Sequence, residues 1–184
     1  MTGEGALRPR TGGEILVDTL VRNGTDTVFC AGSDLTSRGD YVTDRGGEYG
    51  VIRRQRTKPL IAAVEGIAFG GGFEIVLSCD LVVAANTARF GLPEVCRGLV
   101  PTCAALFRAP RSLPLNLARE MILTGAPVEP ERLYHAGVVS RITEPGGAVD
   151  VVSRAVAGDA GSIVAVEVEH VGNAIVDGKN QLAS

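Results

Sequence analysis

Between Pro59 and Glu94, long apolar stretches flank three consecutive glycines, and this block restricts the fold more than any other part of the chain. Leu60 to Val64 contains no polar residue, so a strand formed there has no face to offer water. Asp80 to Ala85, dense in valine, reads the same way. Strands buried on both faces belong to sheets covered on both sides. Gly71 to Ser78 has the length of a short helix between the two strands. The expectation is an α/β layer protein built from strand–strand–helix units.

The glycines also point to chemistry. Gly70, Gly71 and Gly72 permit a tight turn and a close approach of backbone to ligand. A helix beginning at Gly71 leaves its first N–H groups without intrahelical acceptors, facing forward. Donors so placed, aimed at a carbonyl oxygen, stabilise an oxyanion. Two carboxylates, Glu74 within the helix and Glu94 beyond the next strand, are candidates for moving protons beside it. Most glutamates are solvated surface groups, so either one alone would carry no such reading. Glu65 and Asp80 are expected to be structural, Asp80 accepting backbone N–H bonds at the helix-to-strand turn.

Composition removes other classes. A net charge of −3 in 184 residues argues against nucleic-acid or membrane-surface binding through bulk charge. The four cysteines form no C-x-x-C pair and share no metal-ligand spacing with His135 or His170, so no metal site is expected. Free thiols suit a reducing, cytoplasmic setting. Glu65, the glycines, Glu74 and Asp80 interrupt the most apolar stretch, 60–85, and exclude it as a membrane span. No basic-then-apolar leader opens the sequence.

Along the rest of the chain, 13–22 suits an amphipathic helix capped by Thr11, and Asp26 to Phe29 a strand. Residues 36–58, Gly-rich and charged, read as an exposed, mobile segment. Pro114 suits a helix first turn, with Leu117, Met121 and Ile122 on its apolar face up to Gly125. Residues 130–136 form a short helix ended by Gly137, and Val138 to Ile142 and Ile163 to Val168 read as strands.

Five blocks together, Phe29-Cys-Ala-Gly-Ser-Asp-Leu35, Lys58-Pro-Leu-Ile-Ala-Ala-Val-Glu-Gly66, Gly70-Gly-Gly-Phe-Glu74, Cys79-Asp-Leu81 and Phe90-Gly-Leu-Pro-Glu94, make residues 29–142 resemble the enoyl-CoA hydratase/isomerase (crotonase) family. Leu123-Thr-Gly125 and Ala136-Gly-Val-Val139 extend the likeness. The resemblance implies a crotonase-like spiral of strand–strand–helix units and an acyl-CoA thioester substrate. It places the thioester carbonyl between the backbone N–H groups of Ser33 and Gly71, with Ala31, Ser33, Asp34, Leu35 and Gly71 contacting substrate. It makes Glu74 and Glu94 the pair that adds water to a trans-2-enoyl-CoA, holding the water together, with Glu94 delivering a proton to the α-carbon. The alternative activity is double-bond isomerisation, which needs a proton shuttle but no held water. No permanently bound cofactor is implied, coenzyme A entering only as part of the substrate, and a homotrimer or hexamer is implied if the family's interface survives. Arg53, Arg54 and Arg56 read as a solvated face of the mobile segment, the alternative being contact with CoA phosphates.

The resemblance weakens at both ends. Residues 11–29 are similar instead to the opening of thiamine-diphosphate-dependent enzymes of the acetolactate synthase type, and stop before any cofactor-handling residue. The expected division is an atypical segment 1–28, a crotonase-like core 29–145 and an atypical segment 146–184, so the spiral is incomplete at both termini. Thr27-Val28-Phe29 is then expected to serve as the strand before the oxyanion loop, buried and paired on both sides. A reading of a different class follows from this: a catalytically impaired remnant that binds CoA or associates with intact paralogues.

Overall fold

The computed structural model describes residues 27–29, 42–44, 46–53, 55–157 and 164–168. In chain order they form β1 (Thr27–Phe29), β2 (Val42–Thr43), β3 (Gly47–Glu48), β4 (Leu60–Val64), β5 (Ile67–Phe69), α1 (Gly71–Val76), β6 (Leu81–Ala85) and β7 (Arg89–Gly91). A 3-10 turn (Pro93–Arg97) follows, then α2 (Ala105–Ser112), α3 (Leu115–Thr124), α4 (Pro130–His135), β8 (Arg141–Thr143), α5 (Gly147–Ala157) and β9 (Val164–Val168).

The main sheet is parallel throughout, in the order β1-β9-β4-β6-β8. The period-2 alternation of a strand explains why β4 and β6 are apolar along their length. Leu60, Ala62, Val64, Val82 and Ala84 face the larger core, with Phe73, Ile75 and Val76 of α1. Ile61, Ala63 and Val83 face the other way, against Ala148 and Val152 of α5. Each fully buried side chain of Val, Leu, Ile or Phe size contributes about 1.5–3 kcal/mol by leaving water.

A second parallel pair, β5 with β7, aligns Ile67 with Arg89 and Phe69 with Gly91. The chain therefore repeats itself: β4 stacks on β6 while the strands that follow them, β5 and β7, stack on each other. This is the expected strand–strand–helix spiral, two turns of it resting directly on one another.

Four sequence expectations change. Residues 36–58 are not uniformly an exposed segment: β2 and β3 form an antiparallel hairpin, and Val51 and Ile52 are buried in the main core. Their apolar side chains outweigh the glycines and charges around them, whereas residues 55–59 are exposed as expected. Helix α1 ends at Val76 rather than Ser78, because the Ser78 and Cys79 N–H groups bond to the carbonyls three residues back, Ile75 at 2.8 Å and Val76 at 3.0 Å. The strand expected from Val138 begins only at Arg141, since the Val138 and Val139 N–H groups fold back onto the Leu133 carbonyl at 2.9 and 3.2 Å. Finally, β1 docks into the main sheet as expected but is paired on one side only among the described residues, by β9, which stands between it and β4. The helix expected over 13–22 lies outside the described residues.

Two acids hold the scaffold together as the sequence suggested. Asp80 accepts the Leu60 N–H at 2.7 Å while its own N–H donates to the Leu60 carbonyl at 2.8 Å, joining the starts of β4 and β6. Glu65 reaches the beginning of α5, taking the N–H groups of Gly146 (2.7 Å), Ala148 (2.7 Å) and Val149 (3.2 Å). A carboxylate there satisfies donors the helix cannot, and meets the positive end of its dipole. Glu65→Ala is expected to lower stability by about 1–2 kcal/mol, read by urea denaturation, and Glu65→Gln by less because its carbonyl still accepts.

Candidate active site

Gly70 has φ +56°, a backbone state that side chains other than glycine rarely adopt, and from it α1 begins at Gly71. The Gly70 N–H donates to the Gly91 carbonyl at 2.9 Å, which ties the start of the helix to β7. Phe73 and Phe90 brace the same junction with rings 5.7 Å apart, edge to face. The N–H groups of the first turn have no intrahelical acceptor. The glycine turn and the helix start expected at Gly71 are present.

Both candidate glutamates converge on this turn, in different states. Glu74 is 2% exposed, and its Oε1 accepts the N–H groups of Ala104 at 2.7 Å and Ala105 at 3.0 Å. It therefore closes the front of α2 as well as standing in α1, and two donors fix its orientation. Glu94, in the 3-10 turn led by Pro93, is half-buried and comes from the other side. Its Oε1 lies 3.1 Å from where a Cβ on Gly70 would stand. Its Oε2 is buried with no hydrogen-bond partner among the described residues. Burial pushes the Glu94 carboxyl above the ordinary carboxylate value, its own backbone N–H pulls it down in part, and the Glu74 charge adds to the rise. One carboxylate is clamped by two backbone donors, and the other keeps a buried oxygen without a hydrogen-bond partner among the described residues.

The structure brings together Gly71, Glu74 and Glu94. Ala31, Ser33, Asp34 and Leu35 lie outside the described residues, and with them the second expected oxyanion donor. Arg53 forms a bidentate pair with Glu48 at 2.8 and 2.7 Å, and Arg56 donates to the Ser78 carbonyl at 2.9 Å, so both are engaged within the fold. Among the described residues no group of three His, Cys, Asp or Glu is placed to hold a metal ion, and no helix is long and apolar enough to cross a membrane.

One residue at the site went unread in the sequence. A Cβ on Gly71 would overlap the phenol of Tyr49, its hydroxyl above all. Tyr49 lies in the segment whose glycines and charges read as a mobile loop, and no spacing rule connects it to Gly71. The amides of Ala104 and Ala105 were equally hidden, since backbone donors carry no residue-type signal.

The sequence model of the enoyl-CoA hydratase/isomerase family matches residues 14–158. A mevalonyl-coenzyme A hydratase of Aspergillus fumigatus is 43% identical over 129 residues, covering 66% of this chain and 47% of that protein. A carnitinyl-CoA dehydratase of Salmonella enteritidis is 36% identical over 154 residues, covering 80% of this chain and 59% of that protein. Among solved structures, an enoyl-CoA hydratase of Mycobacterium tuberculosis superposes with a TM-score of 0.69 at 36% identity, over 80% of this chain and 66% of that one. The chain thus spans about half the length of the curated relatives it matches.

Proposed function

The chain belongs to the enoyl-CoA hydratase/isomerase family, and on that premise we propose that it adds water across the double bond of a trans-2-enoyl-CoA to give a 3-hydroxyacyl-CoA. The observation that carries this reading is the meeting of an unpartnered, buried Glu94 oxygen and the clamped Glu74 at the glycine turn that starts α1. The Gly71 N–H, with that of Ser33, takes the thioester oxygen and stabilises the enolate charge that develops there. Glu74 and Glu94 hold the water between them. As the water oxygen bonds to the β-carbon, its proton passes to ionised Glu94, which returns a proton to the α-carbon. The net change is one water added, with no redox step and no bound cofactor beyond the CoA of the substrate.

Double-bond isomerisation is the second reading, favoured by the occupation of Glu74 Oε1 with two backbone donors, which leaves Glu94 as the freer proton carrier. Incubation with crotonyl-CoA and then with a 3-enoyl-CoA separates the two. Turnover of the first supports hydration, and turnover of the second alone supports isomerisation. No calorimetric heat with acetyl-CoA would overturn both. If the family's interface survives, the working unit is a homotrimer or hexamer in the cytoplasm, the site being carried by residues 29–145. Size-exclusion chromatography tests the assembly.

Because Glu94 must be ionised to accept the proton, activity falls as pH drops through its raised pKa. The acid limb of kcat/KM for crotonyl-CoA is expected above the range of an ordinary solvated carboxylate, and it should disappear from the residual activity of Glu94→Gln.

A further inference from the structure

Tyr49 is the one non-glycine residue with positive φ, +53°, among the described residues. A bulky residue held in this region signals that its surroundings over-determine the backbone, and such positions cluster at functional sites. The surroundings here do so. The Gly50 N–H bonds to the Gly47 carbonyl at 3.1 Å and the Arg53 N–H to the Gly46 carbonyl at 2.8 Å, closing the turn on both sides of Tyr49. Glu48 and Arg53 clamp it outside, and Arg108 of α2 donates to the Ile52 carbonyl at 3.1 Å. The turn is thereby tied to α2, whose front Glu74 closes. The phenol held in this way sits against Gly71, while the Glu94 carboxylate sits against the adjacent Gly70.

We infer that Tyr49 is a specificity-determining residue that walls off the acyl side of the site at Gly71 and restricts the substrate to a short acyl thioester. The inference rests on the acyl-CoA reading above. A charged CoA nucleotide must extend toward water, whereas the apolar acyl chain runs toward buried side chains, and Tyr49 packs against the main core cluster. The phenol therefore stands on the inward side, where added methylenes of a longer chain would meet it.

The test compares kcat/KM for crotonyl-CoA and trans-2-octenoyl-CoA in the wild type, Tyr49→Gly and Tyr49→Phe. Titration calorimetry with butyryl-CoA and octanoyl-CoA measures the same selectivity without turnover. Tyr49→Gly accepts the left-handed backbone and removes the wall, so the long-to-short ratio should rise by about tenfold or more. Tyr49→Phe keeps the bulk and should retain the wild-type ratio. Thermal melts establish that each variant is folded, and Tyr49→Asn, whose side chain tolerates positive φ, replaces Tyr49→Gly if the latter is not. An unchanged ratio in turnover and in binding for a folded small variant overturns the inference. If the wild type turns over neither substrate but the binding ratio shifts, the hydratase reading fails and the role of Tyr49 stands.

Discussion

Glu94→Gln is expected to lower kcat for crotonyl-CoA by about 10²–10⁴-fold, the usual share of a positioned acid–base group, with the fold intact. The amide has nearly the same shape but neither accepts nor returns a proton. The same substitution should raise stability at neutral pH. In the folded protein the Glu94 pKa lies above its unfolded value, chiefly through burial. Its contribution to stability is therefore complete below the unfolded pKa and is lost as pH rises through the folded one. Above the folded-state pKa the native state holds a partly desolvated charge that the unfolded chain solvates freely, and a neutral amide removes that cost. A variant less active and more stable than the wild type, in steady-state kinetics and urea denaturation at pH 7, is the expected signature. A variant equally active would exclude Glu94 as the proton carrier.

Glu74→Ala is expected to do more damage to the fold, about 2–5 kcal/mol, because it strands the buried Ala104 and Ala105 N–H groups at the front of α2. Glu74→Gln should recover much of this loss, since its carbonyl oxygen can accept from the same donors. Activity then separates the two readings of the site. If Glu74 helps to hold the water, Glu74→Gln loses hydration while remaining folded. If turnover of a 3-enoyl-CoA survives in Glu74→Gln but not in Glu94→Gln, isomerisation is the activity. Circular dichroism and urea melts on the same preparations keep the stability effect apart from the catalytic one.

The difference between the two glutamates marks where sequence reasoning stops. Both stood out by type and by position in a recognisable block, yet nothing in the sequence said that one would be clamped and the other left with a buried, unpartnered oxygen. That depends on which backbone amides arrive beside each carboxylate, and amides look alike at every residue. Tyr49 makes the same point from the other side. Its neighbourhood of glycines and arginines reads as solvated loop, and only the burial of Val51 and Ile52 draws the turn against α1.

What the sequence alone determined was the material whose physics is local. Strand β4 was legible residue by residue, β6 to within one, because runs without polar residues can only be covered on both faces. The start of α1 at Gly71 was legible because φ +56° at Gly70 demands glycine. The structural acids Glu65 and Asp80 were legible as such, though not their partners some eighty and twenty residues away. Tertiary structure decided the order of the sheet, in which β9 enters between β1 and β4. Periodicity tells a strand which of its faces is apolar but not which neighbour it meets, since backbone hydrogen bonding is the same for every partner. The same indifference of the backbone to residue type left the clamp on Glu74 and the wall at Gly71 to be set by packing between elements distant in the chain.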